Sequence, residues 1–327
     1  MNILITGGSG FVGSNLISSL RQDYKIKSLD KKHSSWHQDL TQIIDITDKN
    51  KLDNLNFKAN TLIHLAAEHR DDIYPKSLYY DVNVNGTQNI IDYSIKNNIN
   101  QIIFFSSVAV YGFAKIGTDE NGAINPFNDY GKSKWKAEKK LNDWHDKDPS
   151  SRSLIIIRPT VIFGPRNRGN FFNLLNQINS NKFLMIGRGN NKKSLAYINN
   201  IVDFVSFAIT LGNGKHLFNY VDKPESDMNS IVNTIYKCLD KNKPKIRIPY
   251  LFGLMAAKLI DIVAFITRKK FSISSIRIKK FCSDTSFNTK VFDTGFNAKY
   301  SIDNAISETI DYEFKSDDKD DVIFFTE

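Results

Sequence analysis

The chain has 327 residues, 41% hydrophobic and 24% charged, with a formal net charge of +9. These proportions exclude a disordered or fibrous protein and suffice for one large domain or two fused ones. The positive balance suits an anionic partner (phosphate, a membrane surface or nucleic acid), but a Lys-, Asn- and Ile-rich composition explains it equally well, and no nucleic-acid-binding motif is present.

In chain order, short apolar runs at residues 3–6, 25–29, 43–46, 61–65, 101–106 and 154–158 are expected to be strands. Amphipathic stretches at 12–21, 77–97 and 132–145 separate several of them as helices. Near-continuous apolar strands alternating with helices predict an α/β fold, a doubly wound parallel sheet covered on both faces. The first strand signal comes so early that no signal peptide is expected. The alternation breaks down near Phe163. A cofactor-binding domain is therefore expected over 1–163, with 164–327 mainly a smaller substrate-binding domain whose later segments can return to the sheet. Cys238 and Cys282 match no metal or redox spacing, so reduced thiols and no metal are expected.

Gly7, Gly10 and Gly13 follow the first strand and open the first helix at Phe11 and Val12. Glycines there permit a tight turn and close backbone approach to a pyrophosphate, whose charge lies on the helix N-terminus. Asp30 ends the second strand, placed to accept hydrogen bonds from ribose hydroxyls and to repel a 2′-phosphate, which favours NAD. Lys31 and Lys32 point the other way, because a cation there can hold that phosphate. Asp45 and Ile46 are placed to cap the adenine, and Leu65, Ala66 and Ala67 to pass beside the cofactor. Downstream, Tyr130 and Lys134 stand at i and i+4 and share a helix face. A nearby ammonium favours a phenolate, bringing a weak base toward the working range. Ser107, at the end of the fifth strand, can hold the same substrate oxygen. Together the two motifs predict hydride chemistry at an alcohol carbon.

These residues, with His64–Ala67, Asn83–Thr87, Ser106–Gly112 and Arg158–Pro165, resemble the extended short-chain dehydrogenase/reductase superfamily, in its sugar epimerase/dehydratase branch. The resemblance implies a Rossmann-like domain, NAD as cofactor with Pro159 beside it, a Ser107–Tyr130–Lys134 triad, Asn83 supporting the lysine, and a homodimer joined through two helices of the cofactor domain. Two departures matter. Sugar 4,6-dehydratases of this kind carry an Asp-Glu pair after the Ser/Thr, where this chain has Val108 and Ala109. Many nucleotide-sugar enzymes have Asn where this chain has Val161. The stretches 65–72, 158–170, 274–281 and 320–324 resemble a narrower group, the bacterial 4-epimerases acting on N-acetylglucosaminyl-diphospho-undecaprenol in O-antigen assembly. That implies a polyprenyl-diphosphate-linked sugar as substrate and a peripheral place on the cytoplasmic face of the inner membrane, or in the cytoplasm. A soluble UDP-sugar 4-epimerase, a sugar or alcohol dehydrogenase, and a non-catalytic NAD-binding protein are the rivals.

Residues 251–266 are apolar nearly all round, and Arg268, Lys269, Lys270, Arg277, Lys279 and Lys280 follow. Such a helix would be about 24 Å long, short for a bilayer core of about 30 Å. An interfacial helix on an anionic leaflet fits this pattern. So does a helix packed between the substrate domain and a dimer partner. Arg166, Arg168 and Lys193 are candidate diphosphate contacts or ordinary surface cations. Residues 317–321 read as a charged, exposed tail.

Overall fold

The computed structural model describes residues 1–70, 73–267, 274–317 and 319–326. Its first half runs β1 (Asn2–Thr6), α1 (Phe11–Leu20), β2 (Lys25–Asp30), β3 (Thr41–Ile43), α2 (Lys49–Asp53), β4 (Thr61–His64), α3 (Ser77–Tyr80), α4 (Thr87–Lys96), β5 (Gln101–Phe105), α5 (Asp129–Asp146) and β6 (Ser153–Pro159). There follow β7 (Val161–Phe163), α6 (Asn170–Asn179), β8 (Met185–Ile186), β9 (Lys192–Lys193), β10 (Leu195–Tyr197), α7 (Ile198–Ala208) and β11 (Gly214–Tyr220). The remainder is β12 (Ser226–Asp227), α8 (Met228–Cys238), β13 (Arg247–Ile248), α9 (Tyr250–Thr267), α10 (Ser275–Cys282) and α11 (Ile302–Ile310).

Seven parallel strands form one sheet in the order β11-β6-β5-β4-β1-β2-β3. The order reverses direction between β1 and β4, so a crevice opens there beyond the carboxyl ends of the strands. The unbroken apolar strands are explained by burial on both faces. Ile102, Phe104, Leu154 and Ile156 join one core with Ile90, Leu141 and Trp144 of the helices on that side. Their alternating neighbours Ile103, Phe105, Ile155 and Ile157 join the other core with Leu16, Ile17, Ile201 and Val205.

Two expectations shift, and the allowed return to the sheet occurs. The third strand stops at Ile43, because β2 ends at Asp30, its pairing partner, and Ile44 and Ile46 are buried in the following turn instead. The helix expected over 77–97 is interrupted by a π-helical turn, Asp81–Gly86, between α3 and α4. Gly86 sits there because a Cβ would stand 2.6 Å from Ile46 Cδ1. Gly214–Tyr220 returns to the sheet as β11 beside β6.

The charged tail is not free. Asp320 accepts two hydrogen bonds from the Arg166 guanidinium, each 2.8 Å, and Phe324 is buried against Phe11 and Trp36 at ring separations of 5.8 and 5.3 Å. Asp318 lies outside the described residues.

A buried ion pair ties α5 to the sheet. The Arg158 guanidinium forks onto Glu138 at 2.9 and 2.5 Å and reaches the Tyr111 hydroxyl at 2.6 Å. Glu138 also accepts from the Ser106 hydroxyl. Removing one partner leaves the other charge buried and alone, at a cost of about 3–5 kcal/mol. Glu138→Ala should therefore lower unfolding free energy by about that amount in a denaturant titration.

Candidate active site

The turn from β1 to α1 can form only with glycine at its crossings. Gly7 has φ +75°, and a Cβ on it would stand 2.6 Å from Ala66 N; one on Gly13 would stand 2.5 Å from the Gly7 carbonyl. No side chain caps α1 at Gly10, so the first N–H groups of the helix, from Phe11 and Val12 onward, face an anion site. The Phe11 ring itself is buried against Phe324. Asp30 closes the turn from the β2 side, accepting from Ser9 N at 3.0 Å and Lys32 N at 3.1 Å. Lys31 is ion-paired with Glu68 on the loop after β4, so it is not held out as a free cation for a 2′-phosphate. Leu65, Ala66 and Ala67 follow β4 directly, with Leu65 N bonded to the Thr6 carbonyl at 3.0 Å. Asp45 braces its own turn, accepting from Thr47 N and Oγ1 at 2.9 and 2.8 Å. Pro159 ends β6 in the buried layer. A flat glycine turn, an uncapped helix start and a carboxylate at the second strand form a cradle that fits a dinucleotide.

The residues expected to move the proton come together at the end of β5, next to that cradle. Ser107 leaves the strand with extended backbone (φ −164°, ψ 150°) and caps the 3₁₀ turn Val108–Tyr111, its hydroxyl accepting from Ala109 N at 3.1 Å. That turn packs directly on the start of α5, where a Cβ on Gly131 would stand 2.5 Å from the Ala109 carbonyl. Asn128 caps α5 by accepting from Gly131 N at 2.9 Å, so Tyr130 lies in the first turn and Lys134 in the next. Lys134 is buried, donates to the Phe105 carbonyl at 2.7 Å and sits 4.8 Å from the centre of the Phe104 ring. Burial lowers its pKa to about 7, against the opposing pull of Glu138.

The hydrogen bonds of the Asn83 side chain go to Glu68 and Ser133. Its side chain accepts from Glu68 N at 2.8 Å and donates to the Glu68 carbonyl and to Ser133 Oγ, both at 2.9 Å. Sequence reasoning placed Asn83 near the lysine but missed Glu68, the residue it clamps. The His64–Thr87 pair was also missed, although its members lie in the motifs His64–Ala67 and Asn83–Thr87.

Arg166 and Arg168, expected as diphosphate contacts or surface cations, each engage a carboxylate of this chain. Arg166 is paired with Asp320 and stacked between Trp36 and Tyr312, 4.9 and 4.2 Å from the ring centres. Arg168 is paired with Glu313 at 2.8 Å and lies over Phe172 at 4.0 Å. Arg166 forks onto its carboxylate and Arg168 holds its own through one nitrogen, so both arginines fasten the far segment to the loop after β7. Lys193 is placed differently. Its ammonium donates to the Lys280 and Ser283 carbonyls, at 2.9 and 2.7 Å, at the end of α10. Burial lowers its pKa to about 8, with Cys282 and Asp284 opposing. Beside it, Arg188, Asn190, Tyr250, Cys282 and Ser283 help line a cleft of about 340 Å³.

Above that cleft, α9 stands almost bare. It is 18 residues long with mean hydropathy 1.8, and only Gly253 and Ala257 are buried. The helix packs through this small-residue side, where a Cβ on Gly253 would stand 2.8 Å from Ile186. Leu251, Phe252, Leu259, Ile262, Phe265 and Ile266 face outward, each more than half exposed. Arg268, Lys269 and Lys270 lie outside the described residues. The interfacial and packed-helix expectations thus meet a helix packed on this chain along one narrow edge.

Residues 3–220 match the NAD dependent epimerase/dehydratase family. The chain belongs to that family. Among its relatives is the N-acetyl-α-D-glucosaminyl-diphospho-ditrans,octacis-undecaprenol 4-epimerase of Escherichia coli O157:H7, 48% identical over 100% of this chain and 99% of that protein. The UDP-glucose 4-epimerase of Vibrio cholerae is 33% identical over 81% of this chain and 85% of its own. In fold, this epimerase/dehydratase family member is similar to the UDP-glucose 4-epimerase of Thermotoga maritima solved with UDP-glucose (TM-score 0.75, 19% identity, covering 95% and 98% of the two chains). It is also similar to the Bordetella bronchiseptica enzyme WbmG solved with NAD (TM-score 0.74, 17% identity, covering 95% and 93%). The cradle around Gly7, Gly13 and Asp30 fits the cofactor named by the family, NAD.

Lys134 also makes a pH-dependent stability term. Unfolded, it ionises near its ordinary 10.5; folded, near 7. Below pH 7 both states hold the proton and the full cost of burying the charge applies. Between about pH 7 and about pH 10 the unfolded state holds a proton that the folded state has released, so stability rises with pH. The thermal midpoint of the wild-type apoprotein, relative to Lys134→Met, should climb across that window. A pH-independent difference would contradict the depressed pKa.

Proposed function

We propose that this chain is a 4-epimerase that interconverts N-acetylglucosaminyl-diphospho-undecaprenol and its N-acetylgalactosaminyl epimer through a transient 4-keto sugar, supplying surface-polysaccharide synthesis. Tyr130, as phenolate, takes the proton of the sugar 4-hydroxyl, while the Ser107 hydroxyl holds the same oxygen against it. The ammonium of Lys134, desolvated one turn along α5, favours that phenolate. Bound NAD supplies reversible hydride acceptance at C4. Tyr130 then returns its proton once the keto sugar has turned over, so the reaction is redox-neutral. With Val108 and Ala109 after Ser107, no carboxylate stands where a dehydratase needs its acid and base, which supports epimerisation over elimination of water.

The observation that carries the lipid-linked reading is α9. Its exposed apolar length lies next to the Lys193 cleft, with Lys245, Arg247, Arg277, Lys279 and Lys280 close in sequence. An apolar helix flanked by cations suits the surface of an anionic leaflet, each basic residue contributing about 1 kcal/mol. Lys193 is the diphosphate contact we retain, since its ammonium offers three donors and two are engaged with carbonyls. Peripheral binding at the cytoplasmic face and a homodimer joined through helices of the cofactor-binding half belong to the same reading.

The deciding assay incubates purified protein with membranes containing undecaprenyl-diphospho-GlcNAc and, separately, with UDP-GlcNAc, and reads the sugar product. Conversion on the lipid carrier without net change in nicotinamide absorbance is expected. Conversion confined to UDP-GlcNAc would reject the lipid-linked substrate, and stoichiometric NADH would reject epimerisation. Tyr130→Phe should lower kcat by about 10²–10⁴-fold. In flotation with anionic vesicles, the pair Leu259→Asp and Ile262→Asp should remove most vesicle binding; undiminished binding would exclude α9 as the membrane contact.

A further inference from the structure

We infer that His64, Thr87 and Ser133 are positioning residues that hold the Tyr130 turn in register with the cofactor cradle through one buried, unidirectional hydrogen-bond chain. The inference rests on the reading of Tyr130 as the group that moves the proton.

The chain can be followed atom by atom. Ala66 N lies 3.4 Å from Thr6 Oγ1, which lies 2.7 Å from His64 Nδ1. His64 Nε2 lies 3.0 Å from Thr87 Oγ1, and that hydroxyl donates to the Asn83 carbonyl at 2.7 Å. The Asn83 amide donates to Ser133 Oγ at 2.9 Å, and Ser133 donates to the Tyr130 carbonyl at 2.8 Å. Thr6, His64, Thr87 and Ser133 are fully buried, and Asn83 is 1% exposed.

Donor arithmetic fixes the direction. Thr87 has one hydroxyl proton and gives it to Asn83, so toward His64 it can only accept. Nε2 must then carry the imidazole proton, Nδ1 must accept, and Thr6 must donate to it. Every proton therefore points the same way, from the loop beside Gly7 to the first turn of α5. Burial, with the Lys134 charge adding to it, lowers the His64 pKa to about 3, so the ring stays in this one neutral tautomer.

The geometry needs such a link. Tyr130 lies in a helix's first turn, where backbone N–H groups lack intrahelical partners, whereas a reacting group must be held within about 0.5 Å of its productive position. Thr6 and His64 belong to β1 and β4, the two strands that carry the glycine turn and Ala66. The chain thus references the phenol to the strands that seat the cofactor. A fully satisfied buried network of this kind rigidifies its members.

The test uses the NAD-loaded, full-length protein. Thr87→Val removes the hydroxyl at nearly constant shape and should lower kcat about tenfold or more while KM stays within about twofold. Thr87→Ser should restore most of that kcat. Ser133→Ala, a favourable helix residue that keeps the fold if Thr87→Val does not, should lower kcat comparably, and the two losses should fail to add because they break one chain. ¹⁵N NMR of His64 supplies a readout independent of turnover: Nε2 protonated and Nδ1 bare from about pH 5 to about pH 8. Ser133→Ala with wild-type kcat, a Thr87→Ser variant no better than Thr87→Val, or a His64 that titrates in that range overturns the proposal. A fully active Tyr130→Phe would instead overturn the reading beneath it.

Discussion

The bond from the buried Lys134 ammonium to the Phe105 carbonyl is the constraint on which the site depends. It joins the second turn of α5 to the last residue of β5, two positions before Ser107. An ammonium taken out of water must find partners in the protein, and the carbonyl at the strand's end is one of them. Once that contact is made, Tyr130 has little choice of place, because one helical turn separates it from Lys134. Gly131 then lets the Ala109 carbonyl approach, so the serine turn and the helix close on each other. Glu138, one turn further along, is neutralised by Arg158, so the helix enters the sheet's flank without an uncompensated charge.

Much of this was legible in the order of residues, wherever the signal was local. The strand runs, the glycine spacing after β1, Asp30 at the end of β2 and the four-residue step from Tyr130 to Lys134 are each set within a few residues. What could not be read depends on partners far along the chain. The partner of Arg166 gave no sign, because its pairing with Asp320 spans 154 positions and leaves no periodic trace. The π-helical turn at Asp81–Gly86 was hidden because its apolar pattern runs on into α4, while the close approach of Gly86 to Ile46 involves a distant turn. The return of Gly214–Tyr220 to the sheet was only allowed for, since an edge strand beside β6 resembles many short apolar runs.

Two sets of groups divide the work of the molecule. Around β1, β4 and β5 nearly every polar side chain is buried and matched, as the Thr6–His64–Thr87 series and the Arg158–Glu138 pair show. Around α9 and α10 the logic is reversed: apolar side chains are left outside and cations gather nearby. A rigid, satisfied interior suits chemistry that must lose neither proton nor hydride to water. An outward apolar helix, attached through Gly253 and Ala257 alone among its buried residues, suits contact with something that is itself apolar and mobile.

The docking of Phe324 on Phe11 has a consequence for how the molecule reaches its final form. These two rings meet across more than three hundred intervening residues, and Phe324 is also tied through its own N–H and carbonyl to Arg166 and Arg168. Contacts of such long sequence separation form late, because the loop they close is entropically costly until other structure has shortened it. The opening of α1 therefore gains its outer aromatic wall among the last events of folding, and on warming that corner should be the first to let solvent in.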